Sequence, residues 1–173
     1  SLENPMTLVL DAGVYDEDVV LDAGTYVAGP PFSIPRTTDS VAELRGSIVL
    51  NSGCTVRHLV VSADTGVALA LLDAEDCTLD TLVVRGGAET GVLMQNAAGA
   101  LLITGCEFTN LTTGLDVNFV TGLVVRKCWF HDVTNPIVIR SVAGKTGEGV
   151  NLGEEDDPNT GYNTFDVDEG LAG

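Results

Sequence analysis

Positive charge is what this 173-residue chain has least of: eight Lys and Arg face 25 Asp and Glu, a formal net charge of −17. Nucleic acid is therefore not an expected partner, since binding it depends on Lys and Arg neutralising phosphates. Anionic membrane surfaces are disfavoured for the same reason. No apolar run reaches the roughly 18 residues of a helical membrane span, so no membrane insertion is expected. The opening SLENPM lacks the basic and apolar regions of a signal peptide. Cys54, Cys77, Cys106 and Cys128 form no C-x-x-C pair and have no neighbouring His ligands. Zinc-site spacing is thus missing, and no metal or cofactor is expected. Aromatic residues make up only 5%, and no apolar pattern is long enough for an amphipathic helix.

What the chain does hold is glycine, 20 residues of it, and short apolar runs of period two, the strand period. Its length suits one domain with a core of its own. Segments ending in Thr65-Gly66, Thr90-Gly91, Thr113-Gly114 and Asn135-Pro136 recur every 22 to 25 residues, the length of one solenoid coil. With these pairs aligned as corners, six columns are apolar in every coil. They are Cys54/Cys77/Leu101/Leu123, Val56/Leu79/Ile103/Val125, Leu59/Leu82/Cys106/Cys128, Val61/Val84/Phe108/Phe130, Val67/Val92/Leu115/Ile137 and Leu69/Met94/Val117/Ile139. At 45% hydrophobic composition fewer than half of these positions would be apolar by chance. The cysteines fall in interior columns, where free Cys packs as a small hydrophobe. Stacked Cβ atoms lie nearer ~5 Å than the ~3.8 Å of a disulfide, so four free thiols are expected.

These columns, over about residues 46 to 141, resemble the right-handed parallel β-helix of the pectate-lyase-like superfamily. TLVLDAGVYDEDVVLDAGTYVAG (residues 7 to 29) is similar to the opening coil common there, with Gly13, Val14, Tyr15 and Val19 matching and Ala12 where Pro is usual. The resemblance implies an all-β fold, a single-stranded parallel β-helix (solenoid) of about six short coils, over residues 1–141. Residues 30–45, with three of the six prolines, read as a protruding loop. Residues 142–173, acidic and Gly-rich, read as a C-terminal tail that caps the last coil or docks on a partner.

Outward residues are where chemistry would lie. One face carries Ala68, Leu93, Asp116 and Val138 beside Ala70, Gln95, Asn118 and Arg140. Gln95, Asp116 and Arg140 distantly resemble the Gln, Asp and Arg set of pectin methylesterases, which however use two Asp residues. With one acid present, the face reads better as a subunit interface, its apolar Leu93 and Val138 included. A second face stacks Val60, Val83, Glu107 and Trp129 beside Ser62, Arg85, Thr109 and His131. There Trp129, with His131 and Glu107, reads as an anchor for protein or glycan. Glycosidases need two carboxylates, and this face offers Glu107 alone. His58 and His131 have no clear nucleophile beside them, so a triad is not expected. The acidic runs DAED (73 to 76) and GEEDD (153 to 157) could suggest Ca²⁺ but read as solvated turns.

The small rod without an evident cleft implies a non-catalytic structural protein. The expectation is a virion component (capsid decoration, turret or tail-spike module), assembling as a homo-trimer with other virion proteins, with a host-surface glycan as a possible ligand. The acidic balance, with Lys127 and Lys145 the only lysines, resembles proteins of halophilic archaea, where salt screens carboxylate repulsion. The alternative is a polysaccharide-active lyase, hydrolase or esterase, or a carbohydrate-binding module, and with it an extracellular location.

Overall fold

The computed structural model describes residues 6–34, 40–140, 150–153 and 163–166. Among these every regular element is a β-strand, and all pairings are parallel, stacked as a solenoid of about six turns. Each coil gives a short strand to each of three walls. The first wall stacks β1 (Thr7–Val9), β4 (Tyr26–Ala28), β7 (Thr55–Arg57), β10 (Thr78–Asp80), β13 (Leu101–Thr104) and β15 (Leu123–Arg126). The second takes β2 (Gly13–Tyr15), β5 (Ala42–Arg45), β8 (Leu59–Ser62), β11 (Val83–Arg85) and the leading halves of β14 (Glu107–Asn118) and β16 (Trp129–Arg140). The third takes β3 (Val19–Leu21), β6 (Ile48–Leu50), β9 (Val67–Leu72), β12 (Thr90–Gln95) and the trailing halves of β14 and β16. β17 (Thr164–Phe165) adds a rung beyond β16 on the second wall.

The stacking follows from period-two patterning: one side chain of each pair faces the interior, and parallel pairing puts like residues above one another. Four of the six expected columns hold throughout, including Leu59/Leu82/Cys106/Cys128 and Val61/Val84/Phe108/Phe130. The interior is apolar apart from Thr25 among the described residues; Phe108, Phe130, Leu69, Leu82 and Met94 are fully buried. Burial of each such side chain is favourable by about 1.5–3 kcal/mol. The Phe108 and Phe130 rings stack at 4.7 Å, and Phe165 continues the pile at 5.2 Å. All four cysteines are free and buried. Their thiols donate to carbonyls such as Asp22 O at 3.2 Å for Cys54 and Asn51 O at 3.2 Å for Cys77. Burial pushes the Cys106 thiol well above its ordinary value, as suits a packing residue.

The remaining two columns slip in the third coil. Val92 pairs with Leu69, not Val67, and Met94 with Leu71. The Thr-Gly pairs are not equivalent: Thr65-Gly66 precedes β9, whereas Thr90-Gly91 lies inside β12. Ala68, expected outward, is therefore fully buried, in one column with Gly91, Gly114 and Pro136. Thr113-Gly114 is not a break either. β14 runs through it and bends instead at Asn110, as β16 bends at Asp132, with φ of 56° and 53°.

Of residues 30–45, read as a protruding loop, those described (30–34 and 40–45) join the body, and 35–39 lie outside the described residues. Ala42–Arg45 is β5, and Phe32, Val41 and Ile34 pack over Val60 and Val83, which are buried rather than open on the second wall. In the tail, Asn151 bridges Val124, and Asn163 ties three segments. Its Oδ1 accepts from Cys128 N–H at 3.0 Å, and its Nδ2 donates to Val125 O at 3.0 Å and Leu152 O at 2.8 Å. These pieces lie on the end of the last coil, and the Lys145 stretch lies outside the described residues.

Candidate functional site

Single-residue corners set the second wall's orientation. His58, Thr81 and Lys127 take φ of 52°, 53° and 56°, with Gly105 at 60° in the equivalent place. Each turns the chain sharply, so that the residue two further on points outward in a fixed column. One column holds Val14, Glu43, Val60, Val83, Glu107 and Trp129; its neighbour holds Arg45, Ser62, Arg85, Thr109 and His131.

Two polar clusters result, separated by the covered Val60 and Val83. At one, Glu43 accepts from Ser62 Oγ and Arg85 Nη2, both at 3.1 Å, and from Arg45 Nε at 3.3 Å. Burial alone would raise its pKa. The hydrogen bonds from Arg45 and Ser62 and the charges of Arg85 and Arg45 outweigh burial and hold it below the ordinary carboxylate value. At the other, His131 Nε2 lies 3.0 Å from Glu107 Oε1, and Nδ1 lies 3.2 Å from Asp132 Oδ2 and 3.3 Å from Thr109 Oγ1. The Trp129 ring stacks on His131 at 4.1 Å and donates Nε1–H to Asp166 Oδ2 at 2.8 Å. Trp129 is half-buried, partnered by the tail.

The sequence thus placed Trp129, His131 and Glu107 together correctly, and it missed the hydroxyl beside His131. Thr109, His131 and Glu107 follow the order hydroxyl, imidazole, carboxylate of a hydrolytic triad. Two features work against that chemistry. Asp132 shares Nδ1, and β14 is flanked by strands on both sides, so its backbone N–H groups serve the ladder rather than an oxyanion hole. Beside this cluster, Phe32, Ile34 and Trp129 with Ser33, Lys127 and Thr164 border a groove of about 720 Å³.

On the third wall, Leu93, Asp116 and Val138 share one outward column with Val20, Val49 and Ala70, while Gln95, Asn118 and Arg140 share the next with Leu72. Arg140 reaches across one rung and holds Asp116 bidentately, Nε to Oδ1 at 2.8 Å and Nη2 to Oδ2 at 3.2 Å. That hydrogen bonding, with the Asp116 charge, raises the Arg140 pKa. Both carboxylate oxygens of Asp116 are therefore engaged, and its column brings no second acid.

The acidic turn at 73–76 is structural. Asp73 Oδ1 accepts from Asn96 Nδ2 at 3.1 Å, and Asp76 Oδ1 from Ala100 N–H at 2.7 Å, clasping one coil to the next. Among the described residues no group of His, Cys, Asp and Glu is placed to hold a metal ion. Residues 154–157 of the second acidic run lie outside them.

Comparison with protein-family models, curated proteins and solved structures finds no match to this chain.

Proposed function

We propose that this chain is a non-catalytic structural component that assembles through the outer face of its third wall, and that the assembly is a virion. The form proposed is a trimeric capsid decoration, turret or tail-spike module. One surface supports the reading. On a chain of net charge −17, Val20, Val49, Ala70, Leu93 and Val138 form an outward apolar column whose one carboxylate, Asp116, is matched by Arg140. A near-neutral apolar strip lets copies of so acidic a protein approach without strong repulsion. Three such strips about a three-fold axis form a closed set.

The finer reading, a right-handed β-helix of the pectate-lyase-like kind from a virus of a halophilic archaeon or GC-rich bacterium, rests on analogy at the level of fold and composition. Salt of that environment would screen the carboxylates. Sedimentation in molar salt should give a trimer, and Leu93→Glu should reduce it to monomer. A monomeric wild type that associates with no purified virus particle overturns the proposal. The groove beside Trp129 favours one rival, a carbohydrate-binding or polysaccharide-active module. Product formation from acidic polysaccharides, with or without Ca²⁺, would select it.

A further inference from the structure

Nine asparagines occur in the chain, and Asn110 alone has a Ser or Thr two residues on with no Pro between, as Asn110-Leu111-Thr112. That spacing is the acceptor pattern for N-linked sugar, a bulky surface modification, so its use depends on the Asn amide being within reach. The fold supplies the reach. Leu111 is buried, in register with Val133 on the next rung, while Asn110 and Thr112 on either side of it are exposed. They lie where β14 bends between the second and third walls, with Asn110 at φ 56°.

Five left-handed corners are Asn or Asp: Asp73, Asp76, Asn96, Asn110 and Asp132. Such residues suit this backbone because their short side chains hydrogen-bond locally. Four of them do so. Asp73 accepts from Asn96, Asp76 accepts from Ala100 N–H, and Asp132 meets His131. The Asn110 carboxamide has no hydrogen-bond partner among the described residues, and the same holds for the Thr112 hydroxyl, whose residue is held instead through its C=O, which accepts from Asn135 Nδ2 at 3.3 Å. There is also space for a large substituent. On one side, Arg85 pairs with Thr109 and that coil then turns through Gly86 and Gly87, which present no side chains. On the other, the Asp132 carboxylate is drawn to His131 Nδ1 at 3.2 Å. The outward columns of the third wall take up β14 further on, at Asp116 and Asn118.

We infer that Asn110 is an N-glycosylation site, displayed by the folded chain at an edge of the rod. The donor is an oligosaccharide joined through its anomeric carbon to a lipid phosphate. Asn110 Nδ2 forms a bond to that carbon while the bond from the carbon to the phosphate oxygen breaks. The lipid phosphate leaves with the bonding electrons, Nδ2 gives up one proton, and nothing is oxidised or reduced. Thr112 is the positioning hydroxyl of the acceptor pattern. The site is independent of assembly through the third wall, since it stems from neither of that wall's outward columns.

The test presents the purified, folded full chain to an oligosaccharyltransferase that accepts plain Asn-x-Thr, with a lipid-linked oligosaccharide as donor. Intact mass spectrometry should show a single glycan added per chain, and peptide mapping should put it on Asn110. Asn110→Gln and Thr112→Ala, each with unchanged circular dichroism, should lose the product, and Thr112→Ser should retain it. Leu93→Glu, which tests assembly through the third wall, should be modified as the wild type is. A peptide of residues 105–117 serves as the unfolded acceptor. Modification of the peptide but not of the folded chain overturns the inference, because the corner then withholds its Asn. Modification that survives Asn110→Gln overturns it as well. So does failure of both chain and peptide when the enzyme glycosylates its standard acceptor.

Discussion

Replacing Gly114 by Ala isolates how tightly neighbouring coils are packed within a continuous strand, β14. A Cβ built on Gly114 would lie 2.5 Å from the carbonyl oxygen of Pro136 and 2.9 Å from two atoms of the buried Phe130 ring. The carbonyl belongs to the next rung, and ordinary contact begins at 3.4 Å, so β16 would have to retreat by close to an ångström. Retreat strains the ladder between β14 and β16 and the stacked Phe108 and Phe130 rings. Overpacking of this kind is unfavourable by about 1–3 kcal/mol. Gly114 is outside the left-handed region, so Ala also gains about 0.4–1 kcal/mol by restricting the unfolded chain. The net expectation is a loss of about 1–2 kcal/mol, or a fall in Tm of roughly 2–8 °C for a chain of this size. Gly13→Ala is the matched control. Nothing lies within 4 Å of its added Cβ, and it should be neutral or stabilising by up to about 1 kcal/mol. Urea unfolding in molar salt measures both. Equal stability of Gly114→Ala and wild type, or equal losses in the two variants, would refute the packing account of this position.

Asn163→Ala removes three hydrogen bonds at the end of the last coil and should weaken that attachment by about 2–3 kcal/mol. The single Trp, Trp129, then reports release of Asp166 through a red-shifted emission; an unchanged spectrum rejects the role. Thr81 is β-branched at φ 53°, so Thr81→Asn should raise stability by about 0.5–1 kcal/mol in urea unfolding; a loss would show that its hydroxyl contact to Asp80 outweighs the backbone. Burial, helped by the Arg57 charge, lowers the His58 pKa below 6.5. The folded chain therefore binds this proton less readily than the unfolded chain. The contribution to stability is full above pH 6.5 and is lost as pH falls through the lowered value. His58→Asn should flatten the stability profile below pH 6.5 relative to wild type, and parallel profiles would exclude the effect. Thiol titration of the unfolded, unreduced chain should find all four cysteines, and fewer would mean a disulfide.

Most of the solenoid was legible because columns such as Val61/Val84/Phe108/Phe130 repeat a physical requirement, like beside like across one rung. What failed was local. Thr65-Gly66 looks like Thr90-Gly91, yet only the register of Val61 with Val84 and Leu69 with Val92 shows that no gap separates them. The corners at His58, Thr81 and Lys127 are single residues without glycine, so no turn signal marks them. Phe32 and Val41 cover Val60 and Val83 through contacts distant in sequence, which period-two patterning does not encode. At the candidate sites the columns placed Glu107 with His131 and Asp116 with Arg140 on shared faces. The diagonal reach of Arg140 and the approach of Thr109 to His131 depend on side-chain direction, which columns leave open.

The third and fourth coils share one further property of register. Around the whole perimeter they are offset by a constant 23 residues: Thr55 with Thr78, Val60 with Val83, Val67 with Thr90. A tandem copy of residues 55–77 placed after Cys77 would meet each neighbour in the register its own template already uses. The rod would lengthen by one rung, roughly 4.8 Å, with every inner column continued and the third-wall strip extended in step. Molecular length is therefore a quantity that duplication can edit in whole units, leaving both ends of the rod as they are.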